Sequence, residues 1–371
     1  MFEKIANFIV KYQLKYPKKF IVVFIMLNIL FIPGIFNLIG NVEPSLEKVL
    51  PQDIEEIQTM NYVRGEFGAD MVYLLVFTKD ELTDVRDPSY LRYIDLLSQK
   101  IMSRDHVLEI RSISTIYKDL NDGNNPSSIN DARELSKLSP EFMSFVDSGY
   151  SFSVVKITTN TGASSKVINE LITQIKEDIV SVEEFGINVK TQVTGFSAID
   201  RATFSVIMSD FAKITLVSMI GIMIVVLFTF KSLTKGMLPM VIVMNSLIWT
   251  MGIVGYLNLT ITVISMVAAA MIMGLGIDFG IHQVHAYFEE RKTHTSKRSL
   301  ELTMNELLRA MIAASLTTMA GFLALLFGVL PAMKVLGIIL SIGILTTLIG
   351  AIFLLPPLIY LYDRRVSKDE K

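Results

Sequence analysis

The sequence predicts an integral membrane α-helical bundle of six transmembrane helices, with an α+β ferredoxin-like domain between the first and second. Three observations carry this. Apolar residues make up 51% of the 371-residue chain and the mean hydropathy is +0.49, more than a soluble core can absorb. These residues gather in runs long enough to cross a hydrocarbon core of about 30 Å, which takes about 20 residues at 1.5 Å each. After the first such run comes a long polar segment whose pattern alternates between strand and helix periods.

The elements follow in order. In residues 1–19, Phe2, Ile5, Ile9 and Tyr12 recur near helical spacing with lysines between them, the pattern of a helix lying on a membrane surface, which Pro17 would end. A disordered basic leader is the other reading of so short a segment. The run over 20–39 has spanning length and no small-residue cleavage site, so it reads as a retained first helix and not a signal peptide. The other spans fall at 211–230, 236–257, 261–283, 309–330 and 335–361, residues 362–371 form a tail, and 299–309 reads as a second interfacial helix. Lys and Arg cluster in the N-terminal segment, at Lys231 and Lys235, between Arg291 and Arg309, and in the tail, whereas the opposite short loops carry only Lys334. Basic residues resist translocation, so both termini are expected in the cytoplasm and residues 40–210 outside a cytoplasmic (inner) cell membrane.

Within 40–210, a helix is expected from Pro51 to Phe67, a buried strand over Met71 to Phe77, and a helix opened by Asp87-Pro88 and reaching Ser103. A weaker strand over 107–113 follows, then a loop from Leu120 to Ile129 marked by Asp122-Gly123 and Pro126, and a short helix over 130–146. The second half repeats the outline with a strand at 151–158, a helix at 164–182 and a strand at 188–194. Two strand-helix-strand units in succession predict a split βαβ, ferredoxin-like sandwich, an architecture that carries no function by itself.

Composition excludes several chemistries. Residues 41–210 hold 27 acids against 16 bases, which argues against nucleic acid as a partner. The chain has no cysteine, so disulfides, thiolate metal sites and cysteine nucleophiles are absent. The outer domain shows no nucleophile-base pairing, spaced carboxylate pair or phosphate loop, and no Walker A sequence occurs, so neither an enzyme, nor a bound cofactor, nor ATP hydrolysis by this chain is expected.

One acid lies clearly inside a span, Asp278 in MIMGLGIDFGIHQVHAYFEER. An ionisable residue at that depth costs several kcal/mol unless neutralised, paired or hydrated, so it asks for a reason. Gly274, Gly276 and Gly280 flank it, and small residues four apart let a neighbouring helix approach closely, so the helix is expected to be buried in the bundle. His282, His285 and Glu289 continue a polar stripe from Asp278, which reads as a proton path with Asp278 and His282 as its members. The His-x-x-His spacing is not read as a metal site, because ligands climbing one helix cannot surround an ion. In the fifth span, Thr317 and Thr318 either bond their own carbonyls four residues back or serve as partners for Asp278.

GLGIDFGIHQVHAYFEER followed by ASLTTMAGFLALLFGVLPAMKVLGIILSIGIL resembles the resistance-nodulation-division (RND) superfamily, in its branch of hydrophobe and lipid exporters with the MmpL and hopanoid transporters. PQDIEEIQTMNYVRGEFGAD resembles the entry to the family's porter domain. The resemblance implies export of a hydrophobic or amphiphilic molecule driven by protons through the fourth-helix acid, whose position Asp278 matches. Members with the best-known relay often carry tyrosine after that acid, where this chain has Phe279, so His282, Thr317, Thr318 or water would take the partner's place. Most members fuse two halves into twelve helices and this chain is one half, so a homo-oligomer, a dimer before a trimer, is expected to rebuild the pair in contact with membrane lipids. A SecD/SecF-like protein-export component and a lipid- or sterol-sensing protein are the alternatives.

Overall fold

The computed structural model describes residues 2–40, 49–67, 70–78, 84–161, 165–183, 189–262 and 264–369. The chain divides into two compact units, Gln52–Ser205, and Met1–Pro51 with Val206–Lys371. The second of these opens with α1 (Phe2–Lys15) and α2 (Pro17–Gly40). Ala6, Val10 and Gln13 on one face of α1 are buried, and the Gln13 side chain donates to the Ile352 carbonyl at 2.7 Å. Ile5 and Tyr12, expected against a membrane surface, remain exposed on the other face.

In the unit Gln52–Ser205, α3 (Glu55–Phe67) precedes β1 (Asp70–Thr78), α4 (Pro88–Met102), β2 (Val107–Arg111), α5 (Ile113–Leu120), α6 (Ile129–Ser136), β3 (Phe152–Thr159), α7 (Ser165–Glu183) and β4 (Val189–Thr194). The strands form one antiparallel sheet in the order β2-β3-β1-β4, the arrangement of the expected ferredoxin-like sandwich. Burial alternates along β3, because α4 and α7 cover one face of the sheet. There Val72, Leu74 and Val76 meet Tyr90, Ile94, Leu171 and Ile175, each fully buried aliphatic side chain contributing about 1.5–3 kcal/mol.

Local chemistry sets the helix starts. The Asp87 carboxylate accepts from the Ser89 N–H at 2.8 Å with Pro88 in the first turn, and Ser112 and Thr115 cap α5 reciprocally. Asp178, 1% exposed at its side chain, takes two bonds from the Arg104 guanidinium at 2.9 and 2.6 Å, tying the end of α4 to α7. Burial works to raise the Asp84 carboxyl, but a forked Arg86 guanidinium at 2.9 and 2.7 Å, the Arg86 N–H and nearby Arg133 hold it below the usual carboxylate range. Burial likewise opposes ionisation of Asp147, and the N–H groups of Phe152, Ser151 and Gly149 with the Ser151 hydroxyl pull it down.

Some boundaries differ from expectation. The 107–113 strand stops at Arg111 because the Ser112 capping box starts α5, a helix of eight residues too short to show periodicity. The 130–146 helix is α6 followed by a separate 3₁₀ turn, Pro140–Ser144, begun by a proline that cannot continue the helix. The residues just after 40, the helix start at 164 and the strand start at 188 lie outside the described residues.

The remaining helices are α8 (Phe196–Phe230), α9 (Leu233–Tyr256), α10 (Ala268–Glu290), α11 (Ser296–Leu323), α12 (Pro331–Phe353) and α13 (Leu355–Asp369). Among the described residues, six helical stretches are long and apolar enough to cross a membrane: Pro17–Leu38, Ser209–Phe230, Leu233–Tyr256, Ser265–Glu290, Ser296–Phe327 and Pro331–Val366. Residues 299–309 are not a separate interfacial helix; they are the first turns of α11, since nothing in SLELTMNELLR breaks a helix. The sixth span is in two pieces, α12 and α13, parted at Leu354, just before Pro356 and Pro357. It is the most enclosed of the six, whereas among the membrane-length residues of α8 Val226 alone is buried.

Candidate functional site

The site is built on α10, whose two sides meet different surroundings. Gly276 lies against Thr347 of α12, where an added Cβ would come within 3.0 Å of the threonine Cγ2 and Oγ1. Gly280 lies against Pro239 of α9, at 2.7 Å from its Cβ and 2.8 Å from its Cα on the same measure. These two glycines are close-approach points of the kind their spacing predicts. Gly274 is not one: no atom lies within 4 Å of its Cβ position, because it turns to the opposite side of the helix.

That opposite side carries Asp278. The helix expected to be buried in the bundle is buried on one side only: Gly274, Asp278, His282 and His285 are exposed together, along with Met271 and Leu275. The 3.6-residue period puts Gly276 and Gly280 inward and these residues outward. Among the described residues neither Asp278 nor His282 has a hydrogen-bond or ion-pair partner. Thr317 and Thr318 do not reach Asp278. The Thr317 hydroxyl donates to the carbonyls of Ala313 and Ala314 at 3.1 and 2.9 Å, and the Thr318 hydroxyl to Ala314 at 2.8 Å, the local alternative for threonine in a helix. Phe279 is half-buried against the cluster that includes Ile242 and Val284.

At the tail end of the helical unit, the Arg291 Nε donates to Asp363 at 3.0 Å and the Ser296 hydroxyl donates to the same carboxylate, joining the α10–α11 loop to α13. The Glu289 end of the polar stripe is taken by Lys292 at 2.7 Å. No group of three His, Asp or Glu side chains among the described residues converges as a metal ion would require.

Sequence reasoning missed two features behind this face. Ser246 and Thr250 of α9 meet Thr346 and Thr347 of α12 in a buried hydroxyl ladder. Ser246 Oγ lies 2.8 Å from Thr346 Oγ1 and 2.7 Å from Thr347 Oγ1, and Thr250 lies 3.0 Å from Thr346. The i,i+4 spacing of Ser246 and Thr250 was a usable signal. The other is the crossing of α2 and α9, where an added Cβ on Gly255 would collide with the Gly34 carbonyl oxygen, and one on Gly34 with that of Gly252.

Six membrane-length helices, a ferredoxin-like domain between the first and second, and an acid on an exposed face of the fourth define a multi-pass membrane protein of RND type. The chain belongs to the MMPL family, which it matches over residues 102–371 and whose members are transporters. It is 30% identical over 358 residues to the membrane protein MJ1562 of Methanocaldococcus jannaschii, covering 94% of this chain and 92% of that one. It is also 29% identical over 187 residues to the membrane protein ActII-3 of Streptomyces coelicolor, covering 49% of this chain and 26% of that longer one.

Proposed function

We propose that this chain is a half-transporter that exports lipids or other hydrophobic or amphiphilic molecules across the cytoplasmic membrane, coupled to protons through Asp278, and that it works as a homodimer with both termini in the cytoplasm. The observation that carries this is Asp278 itself, exposed at membrane depth without a partner among the described residues. Left facing lipid, such a carboxyl costs several kcal/mol, so a covering surface or a hydrated path is required. On the neighbouring α11, Ala313, Ala314, Thr317, Ala320 and Gly321 are exposed, a low-relief surface that another helix can approach closely. A second copy related by a twofold axis along the membrane normal covers both faces and brings two Asp278 carboxyls near one another. One proton crossing at 100 mV supplies about 2.3 kcal/mol, enough for a concentration ratio of about fortyfold to fiftyfold of a neutral substrate.

The test uses Asp278→Asn, which keeps the shape and removes the titrating group, in vesicles with an imposed pH gradient. The expected result is loss of gradient-driven export with folding and insertion retained, and unchanged export refutes the assignment. Met271→Cys or Gly274→Cys, clean in a chain without cysteine, should crosslink two copies across the exposed face. Export-active protein that stays monomeric in native membranes rules out the dimer.

A further inference from the structure

An apolar cavity of about 600 Å³ lies between α2, α8 and α9, with Leu354 and Leu358 at its margin. Its size is that of a site for a long hydrophobic ligand. It exists because α8 seats on the bundle at Val226, which meets Gly236 at the start of α9, and is otherwise little covered. Met237, Val241 and Met244 of its wall are exposed, so it opens sideways at membrane depth. Five methionines line it: Met219, Met223, Met237, Met240 and Met244. Unbranched, polarisable thioethers adapt their shape to chains of differing outline.

Two amides make this more than a packing gap. Asn245, 3% exposed, lines the cavity with neither Oδ1 nor Nδ2 hydrogen-bonded, and Asn28 lines it with a buried, unbonded Oδ1. A buried polar atom left without a partner costs about 1–3 kcal/mol, so a residue placed this way points to something that completes it. Both asparagines sit near the middle of their helices, far from the headgroup region. No charged side chain lines the cavity among the described residues, so a charged headgroup carried to that depth would go uncompensated. The missing partner must both donate and accept, since the Asn245 Nδ2 amino group needs an acceptor while the Oδ1 atoms of Asn245 and Asn28 need a donor. A ketone or ester only accepts, an alkane does neither, and an uncharged hydroxyl does both.

From this we infer that the cavity is a binding site for a long-chain alcohol, a neutral hydrophobe that lays its chain along the methionines, accepts from Asn245 Nδ2 and donates its one hydroxyl proton to an asparagine Oδ1. It rests on the proposed export function only in making that alcohol a substrate. The experiment uses the full chain in phosphatidylcholine nanodiscs with a diazirine-bearing hexadecanol as photoprobe and mass-spectrometric mapping of the adducts. Adducts are expected on the cavity walls of α2, α8 and α9, suppressed by excess hexadecanol and not by hexadecane or methyl palmitate. Asn245→Leu, checked for folding by its elution and melting, should cut cavity labelling at least fivefold, and so should the space-filling Met223→Trp. Equal competition by hexadecane or methyl palmitate, or full cavity labelling of both variants, overturns the assignment. Asp278→Asn should keep the labelling while losing export. If export persists in the wild type and the cavity takes no label, the site is wrong and the export reading stands.

Discussion

The packing of α10 gives a quantitative test in two glycines six residues apart. At Gly280 a methyl group would lie 2.7 Å from Pro239 Cβ, 2.8 Å from Pro239 Cα and 3.3 Å from Ile242 Cδ1. Carbon atoms rest at about 3.5–4.0 Å, and the proline ring and backbone cannot swing aside as a flexible side chain would. The Gly280→Ala variant must therefore push α9 and α10 apart by several tenths of an ångström, an overpacking cost of about 1–3 kcal/mol. At Gly274 the same methyl meets nothing within 4 Å. Both positions gain about 1 kcal/mol of helix propensity on going from glycine to alanine, a term that cancels between them. Gly274→Ala should consequently be more stable than Gly280→Ala by about 1–3 kcal/mol. Reversible unfolding in mixed detergent micelles, followed by the fluorescence of the lone Trp249, reads this difference directly. Equal stability of the two, or a more stable Gly280→Ala, would mean that Gly280 does not face Pro239 and that Asp278 does not face outward.

Two further predictions concern the ferredoxin-like unit. Arg104→Met removes both guanidinium bonds from the buried Asp178 and leaves Lys100 at 3.7 Å, so it should destabilise the α4–α7 contact by about 2 kcal/mol, read as faster hydrogen exchange in α7 of the full chain. Because the folded-state carboxyls of Asp84 and Asp147 titrate below their ordinary value of 3.8, the stability they confer is fully present above that value and is lost as pH falls through the lowered one. Exchange protection at Gly149, Ser151 and Phe152 should thus be level from pH 7 to 5 and collapse below about 4. A fall that begins near pH 6 would contradict the lowered values.

Much of this protein follows from its sequence alone. Spanning length is a one-dimensional property, so all six membrane-length stretches were readable from runs of apolar residues, and the sheet from alternation along segments such as FSVVKITT. Asp278 was equally legible, because a lone acid in an apolar run needs no neighbour to be noticed. What the tertiary structure decided is direction. Gly274, Gly276 and Gly280 read alike in sequence, yet two press on Thr347 and Pro239 while the third opens beside Asp278, a difference set by which helices flank α10. Thr317 and Thr318 chose their own helix's carbonyls over the acid. The hydroxyl ladder of Ser246 and Thr347, the Gly34–Gly255 crossing and the unbonded Asn245 beside a methionine-lined cavity join residues far apart in the chain. Periodicity reports the face on which a residue lies, and only packing reports what occupies that face.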